Sequence, residues 1–146
     1  MSFSAIKDQN VAVRLLRGIV KRQRIPNGML FWGPSGVGKR LAALETAKAI
    51  HCVQDNGDAC DVCLSCRKIA HGNHPDVLHF EPSSKTRIFK KEDMEFITDM
   101  ASYRPFEGRW RIFIIVEADR INQRSQNYFL KTLEEPPSTT MFLLVT

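Results

Sequence analysis

The chain has 146 residues, enough for one domain around a single core. Its 43% hydrophobic and 25% charged content is ordinary for a water-soluble globular protein, and neither an 18-residue apolar run nor a signal peptide is present. These features exclude a membrane-spanning helix and lead us to expect a cytoplasmic protein; the formal charge of +5 fits acidic partners or a solvated basic surface equally well.

In chain order, about Gln9 to Arg22 has helical period. Val11, Leu15, Ile19 and Arg22 fall on one face with Leu16 and Val20 beside them, which predicts a helix packing on a core. Basic residues gather here as Arg14, Arg17, Lys21, Arg22 and Arg24. The turn formers in Arg24 to Gly28 end the helix, and Met29 to Trp32 reads as a strand in which Trp32 packs rather than stacks on a base.

The next turn, Gly33-Pro34-Ser35-Gly36-Val37-Gly38-Lys39-Arg40, matches G-x-x-x-x-G-K, with Arg where Ser or Thr is usual. A strand precedes it and the helical run Leu41 to Ile50 follows. In that context successive backbone N–H groups and the positive end of a helix converge on one point where a polyphosphate binds, with Lys39 reaching the terminal phosphates. Residues 33–40 are therefore the expected ATP or ADP site. Arg40 is the anomaly, because guanidinium has only donors and cannot ligate Mg²⁺ as a hydroxyl does.

From Cys52 the pattern changes to Cys52-x₇-Cys60-x₂-Cys63-x₂-Cys66, using every cysteine of the chain within 15 residues. Four thiolates at this spacing predict a tetrahedral structural Zn²⁺ in an inserted module at about 52–66. Unmetallated thiols and an iron–sulfur cluster are the alternatives. His51, His71 and His74 are not required as ligands and read as surface or loop residues.

Leu64 to Ala70 reads as a short helix ended by Gly72, Asn73 to Asp76 as a turn, and Val77 to Glu81 as a strand. Pro82 to Arg87 is a polar, mobile link. A helix follows from about Lys90 to Tyr103 with Met94, Ile97, Met100 and Ala101 inward. The continuous apolar run of Arg111 to Val116 predicts a central parallel strand.

In nucleotide hydrolases of this architecture such a strand ends in Asp, for Mg²⁺, followed by Glu, which polarises the attacking water. Here Val116 holds the Asp place and Glu117 the Glu place, making Glu117 the candidate catalytic residue; a one-step slip puts Glu117 in the metal role instead. Asp119 lies too far along to be a secure substitute. Mg²⁺ binding is thus in doubt at two positions, Arg40 and Val116. A last helix, N-capped by Ser125, runs through Phe129, Leu130 and Leu133 to Glu135, and Met141 to Thr146 is a final buried strand whose terminal position predicts a fragment.

With Leu130-Lys131-Thr132-Leu133-Glu134-Glu135-Pro136-Pro137, the phosphate loop, the four-cysteine insertion, His74-Pro75-Asp76 and Glu117-Ala118-Asp119 in order, nearly the whole chain resembles the N-terminal nucleotide-binding domain of bacterial DNA polymerase III clamp-loader subunits. The altered metal positions are closer to delta-prime-like than to gamma/tau-like members.

The resemblance implies an α/β P-loop AAA+ fold, a three-layer sandwich on a parallel sheet. Of the AAA+ strand order 5-1-4-3-2, four strands are present as 1-4-3-2 and the fifth is missing. The phosphate-loop strand is then an exposed edge prone to self-association. It also implies a Ser-Arg-Cys arginine finger, sensor residues, lid and collar beyond Thr146. Its implied partners are delta and gamma/tau subunits, the sliding clamp and, through the complex, primed DNA. A non-motor clamp-loader subunit is the leading expectation; a working gamma/tau-like ATPase and a small-molecule P-loop kinase are the alternatives.

Overall fold

The computed structural model describes residues 2–82, 86 and 88–146. Ser83, Ser84, Lys85 and Arg87, where the mobile link was expected, lie outside the described residues. After a single 3-10 turn, Phe3–Ala5, the elements are α1 (Asn10–Lys21), β1 (Gly28–Phe31), α2 (Lys39–His51), α3 (Leu64–Ala70), β2 (Val77–Phe80), α4 (Lys91–Ala101), β3 (Arg111–Val116), α5 (Gln123–Glu134) and β4 (Thr140–Val145).

The four strands form one parallel sheet in the order β1-β4-β3-β2, as expected. Every residue of β3 is buried, the consequence of an apolar run placed between two strands and covered on both faces. Side chains alternate along it. Ile112, Ile114 and Val116 join Met141, Leu143 and Val145 of β4 against Ala43 and Ala47 of α2 and Ile69 of α3. Phe113 and Ile115 face the other way with Phe142, onto Met94, Ile97 and Ala101 of α4 and Phe129 of α5. On that side the Phe80, Phe113 and Phe142 rings stack at 6.1 and 5.4 Å between centroids, and Phe129 meets Phe142 edge-on at 5.2 Å. The result is the expected three-layer sandwich.

Three local expectations differ. The core side of α1 is Leu16 and Val20, packed with Phe3, Ala42 and Ala49, whereas Val11 and Leu15 are 82% and 64% exposed. Apolar residues cover more than one flank of this helix, so period alone does not fix which flank docks. Trp32 is 82% exposed rather than packed, because it lies one residue beyond β1. Finally, α5 is capped by Asn122, whose Oδ1 accepts from the Ser125 N–H at 2.8 Å; Ser125 already lies inside the first turn.

β1 pairs with β4 alone among the described strands, leaving its other edge open and Leu30 exposed. Its register with β4, and that of β4 with β3, brings the carboxyl ends of three strands level: Phe31 opposite Val145, and Val145 opposite Val116. Everything that follows those three strands therefore meets at one end of the sheet.

Candidate nucleotide cleft and cysteine cluster

Interstrand spacing puts the ends of β1 and β3 about 10 Å apart, with β4 between them. The loop after β1 and the turn after β3 flank this gap, and it opens into a cleft of about 950 Å³ lined by Ser35, Gly36, Gly38, Lys39, Arg40, Glu117, Asp119, Arg120 and Thr146, among others. A crevice outside the carboxyl ends of parallel strands is where open α/β sheets bind ligands.

The loop's shape follows from its glycines. Gly36 and Gly38 have φ of 84° and 96°, a left-handed region costly for a residue with a Cβ, and Gly38 caps α2 in that conformation. From this cap Lys39 turns back across its own loop, and its Nζ donates to the Gly33 carbonyl at 2.5 Å. Arg40, next along, points to the end of β2, where it pairs with Glu81 at 3.2 Å; both side chains are at least half exposed. Burial, and then the charge of Arg40, hold the His79 imidazole below its ordinary pKa.

Val116 is buried in the sheet face under α2 and α3, so the position that would carry a metal-binding Asp is part of the apolar core. Glu117 adopts φ 56° and starts the 3-10 turn Ala118–Arg120. That turn is what sequence reasoning missed. It brings Asp119 and Arg120 to the cleft wall with Glu117, despite the distance of Asp119 along the chain from the strand end. The signal available was the Ala-Asp-Arg segment between an apolar strand and Asn122, short enough to force a tight turn.

Cys52, Cys60, Cys63 and Cys66 converge, with all four Sγ atoms within 4.8 Å of one another. A Zn–S length of about 2.3 Å requires tetrahedral S–S edges of about 3.8 Å, so a contraction of about 1 Å or less would close the cluster on an ion. Backbone geometry favours thiolate: Cys63 N–H donates to Cys60 Sγ at 3.3 Å, and Cys66 N–H donates to Cys63 Sγ, the N-cap of α3, at 3.4 Å. At Cys63 burial opposes ionisation, but N–H donors and neighbouring thiols outweigh it and bring the pKa down to about 6. At Cys66 burial dominates and pushes it up to about 12. Four donors of one soft type leave no open position on a tetrahedral ion, so the set fits structural zinc.

The cysteine segment is anchored to the rest of the domain. Lys48 of α2, only 1% exposed, pairs with Glu45 at 3.1 Å and with Asp61 of the insertion. Asp58 accepts from the Phe3 N–H at 3.0 Å and from Arg17 at 3.1 Å, and Gln23 donates to Asp55 at 2.9 Å.

Two of the three histidines near these regions, His51 and His74, are drawn into the fold rather than left on the surface. His74 is 3% exposed, and its Nδ1 accepts from the Asp76 N–H at 3.0 Å. The His51 ring lies 4.7 Å from it, held by burial and then by His74 at a pKa of about 4. Gly108 makes this packing possible, because a Cβ there would come within 2.2 Å of His51 Cε1. Asp76, fully buried, accepts from the N–H groups of Phe106, Glu107 and Gly108 at 2.5, 2.8 and 2.6 Å. The segment His74 to Asp76 thus pins the turn before β3, a structural task, while His71 remains exposed.

A family model described as DNA polymerase III, delta subunit, matches residues 8–146. The chain is 34% identical to DNA polymerase III subunit tau/gamma of Haemophilus influenzae over 99% of its own length and 21% of that protein's. It is 33% identical to DNA polymerase III subunit delta' of Bacillus subtilis over 92% of its length and 40% of that protein's. It therefore spans between about a fifth and two fifths of the curated relatives it matches. The crystal structure of a DNA polymerase III gamma subunit-related protein from Thermotoga maritima superposes with a TM-score of 0.68 at 22% identity, over 92% of this chain and 39% of that one. A sheet of this order, a glycine loop opening α2 and a match across residues 8–146 place the chain in the DNA polymerase III delta subunit family.

Proposed function

We propose that the chain forms the nucleotide-binding domain of a DNA polymerase III clamp-loader subunit of the delta-prime kind. In this reading it supports ATP-dependent loading of the sliding clamp onto primed DNA as a scaffold rather than a motor. One observation carries the choice: a guanidinium and a buried valine, Arg40 and Val116, stand at the two positions where a hydrolytic site would hold Mg²⁺. Residues 33–40 bind ATP or ADP, Lys39 contacts the terminal phosphates, and Cys52, Cys60, Cys63 and Cys66 hold a structural Zn²⁺. The partners are delta and gamma/tau subunits, with the clamp and DNA reached through the complex, and the setting is the bacterial cytoplasm.

A second reading, an active gamma/tau-like ATPase, draws on Glu117 and Asp119 sharing the cleft with Lys39. Glu117 and water would then complete the metal shell. Reconstitution with delta and gamma/tau subunits tests the scaffold role. The full-length protein carrying Lys39→Ala is expected to co-elute with the complex and to leave clamp loading unchanged. Loss of loading with assembly intact would favour the motor reading.

A further inference from the structure

The two departures from a metal-binding cleft leave a charge problem. Glu117 and Asp119 line the same cleft as the glycine loop, so a polyphosphate entering it approaches two carboxylates. In a metal-dependent site Mg²⁺ lies between phosphate and carboxylate and removes that repulsion. Among the described residues, three side-chain cations line this cleft: Lys39, Arg40 and Arg120. Lys39 is held on the Gly33 carbonyl at 2.5 Å, and Arg120 belongs to the carboxylate side, in the turn after β3. Arg40 is the cation at the position in the helix that would otherwise carry a metal ligand.

We propose that the Arg40 guanidinium takes the electrostatic place of Mg²⁺, so that this cleft binds a nucleoside di- or triphosphate without a divalent metal, and that Glu81 competes with the phosphate for Arg40. The inference rests on the nucleotide-binding reading given above and goes further by naming the ligand form and its control. Guanidinium suits the task, since its fork of N–H donors matches phosphate oxygens and its charge does not titrate at physiological pH. The Arg40–Glu81 pair at 3.2 Å has side chains 62% and 50% exposed, so water screens it and it is readily exchanged. A phosphate group carries more charge than one carboxylate, which sets the direction of the exchange. Glu81 follows β2 and Arg40 lies in the first turn of α2, so the pair links the outermost strand to the glycine loop.

Calorimetric titration of ADP into the full-length protein, once with Mg²⁺ and once with EDTA, tests this. The wild type is expected to bind equally in both. Arg40→Thr is expected to lose about tenfold in affinity in EDTA and to recover with Mg²⁺, the hydroxyl now serving as a ligand. Glu81→Gln is expected to tighten binding in both conditions, a change that a merely structural Arg40 would not produce. Both positions are exposed, and matching thermal melts confirm that the variants fold. Wild-type binding that requires Mg²⁺, or an Arg40→Thr variant that binds as well as wild type in EDTA, overturns the proposal and leaves the nucleotide reading standing. Absence of ADP binding by the wild type in both conditions overturns the nucleotide reading itself.

Discussion

Replacing Asp76 by Ala is expected to destabilise the domain by about 3–5 kcal/mol, a fall of roughly 10 °C in Tm. The carboxylate is fully buried and accepts three backbone N–H groups from residues 106–108. It is also the nearest anion to Arg111, which is 1% exposed, lies 3.9 Å from Asp76 Oδ1 and sits over the Phe106 ring at 5.5 Å. Removing it strands three donors and a buried charge together. Burial alone would raise the Asp76 pKa, but the three N–H donors outweigh it and hold it below 3.8. Its stabilisation is therefore complete above about pH 4 and is lost as pH falls through the lower, folded value. Asp76→Asn should shallow that acid limb of the stability curve. A melt of Asp76→Ala within a degree or two of wild type would show that the turn before β3 is held by other contacts.

Removing zinc is the second large effect. Cys66→Ser, or exhaustive chelation, is expected to reduce bound zinc from about one ion per chain to none and to lower the Tm by on the order of 10 °C. Without the ion, Cys52 and Cys66 remain as buried thiols in a small cluster that holds little else apolar, Ala59 being the one other buried member. The loss should spread into α2, because Lys48 would lose the fixed position of Asp61 and remain a buried cation beside Glu45. Metal analysis and thermal melting check both parts. A protein that stays fully folded and melts unchanged after chelation would remove the structural role of the cluster.

Most elements of the fold are legible in the sequence because their patterns have one solution. Five consecutive apolar residues, Ile112 to Val116, cannot be satisfied at a sheet edge, so the strand Arg111–Val116 had to be central. Leu64–Ala70, bounded by Cys63 and Gly72, had room for little but a short helix. The cysteine spacing likewise led directly to a convergent site. What escaped depends on partners distant in sequence. His74-Pro75-Asp76 reads locally as a turn, yet its buried role is set by N–H groups about thirty residues later. On α1, Val11 and Leu15 compete with Leu16 and Val20 for the core, and only the position of Phe3 and α2 decides between them. At the cleft, Lys39, Arg40 and Glu117 were identified by motif, whereas Asp119 and Arg120 required the 3-10 turn that returns them.

The scaffold reading stands on one chemical property, weak ATP hydrolysis. Steady-state ATP turnover by the full-length protein without its partners measures it most directly. Turnover at background, unaltered by Lys39→Ala and raised by combining Arg40→Thr with Val116→Asp, is the predicted result. Robust turnover by the native sequence that Lys39→Ala abolishes would contradict it.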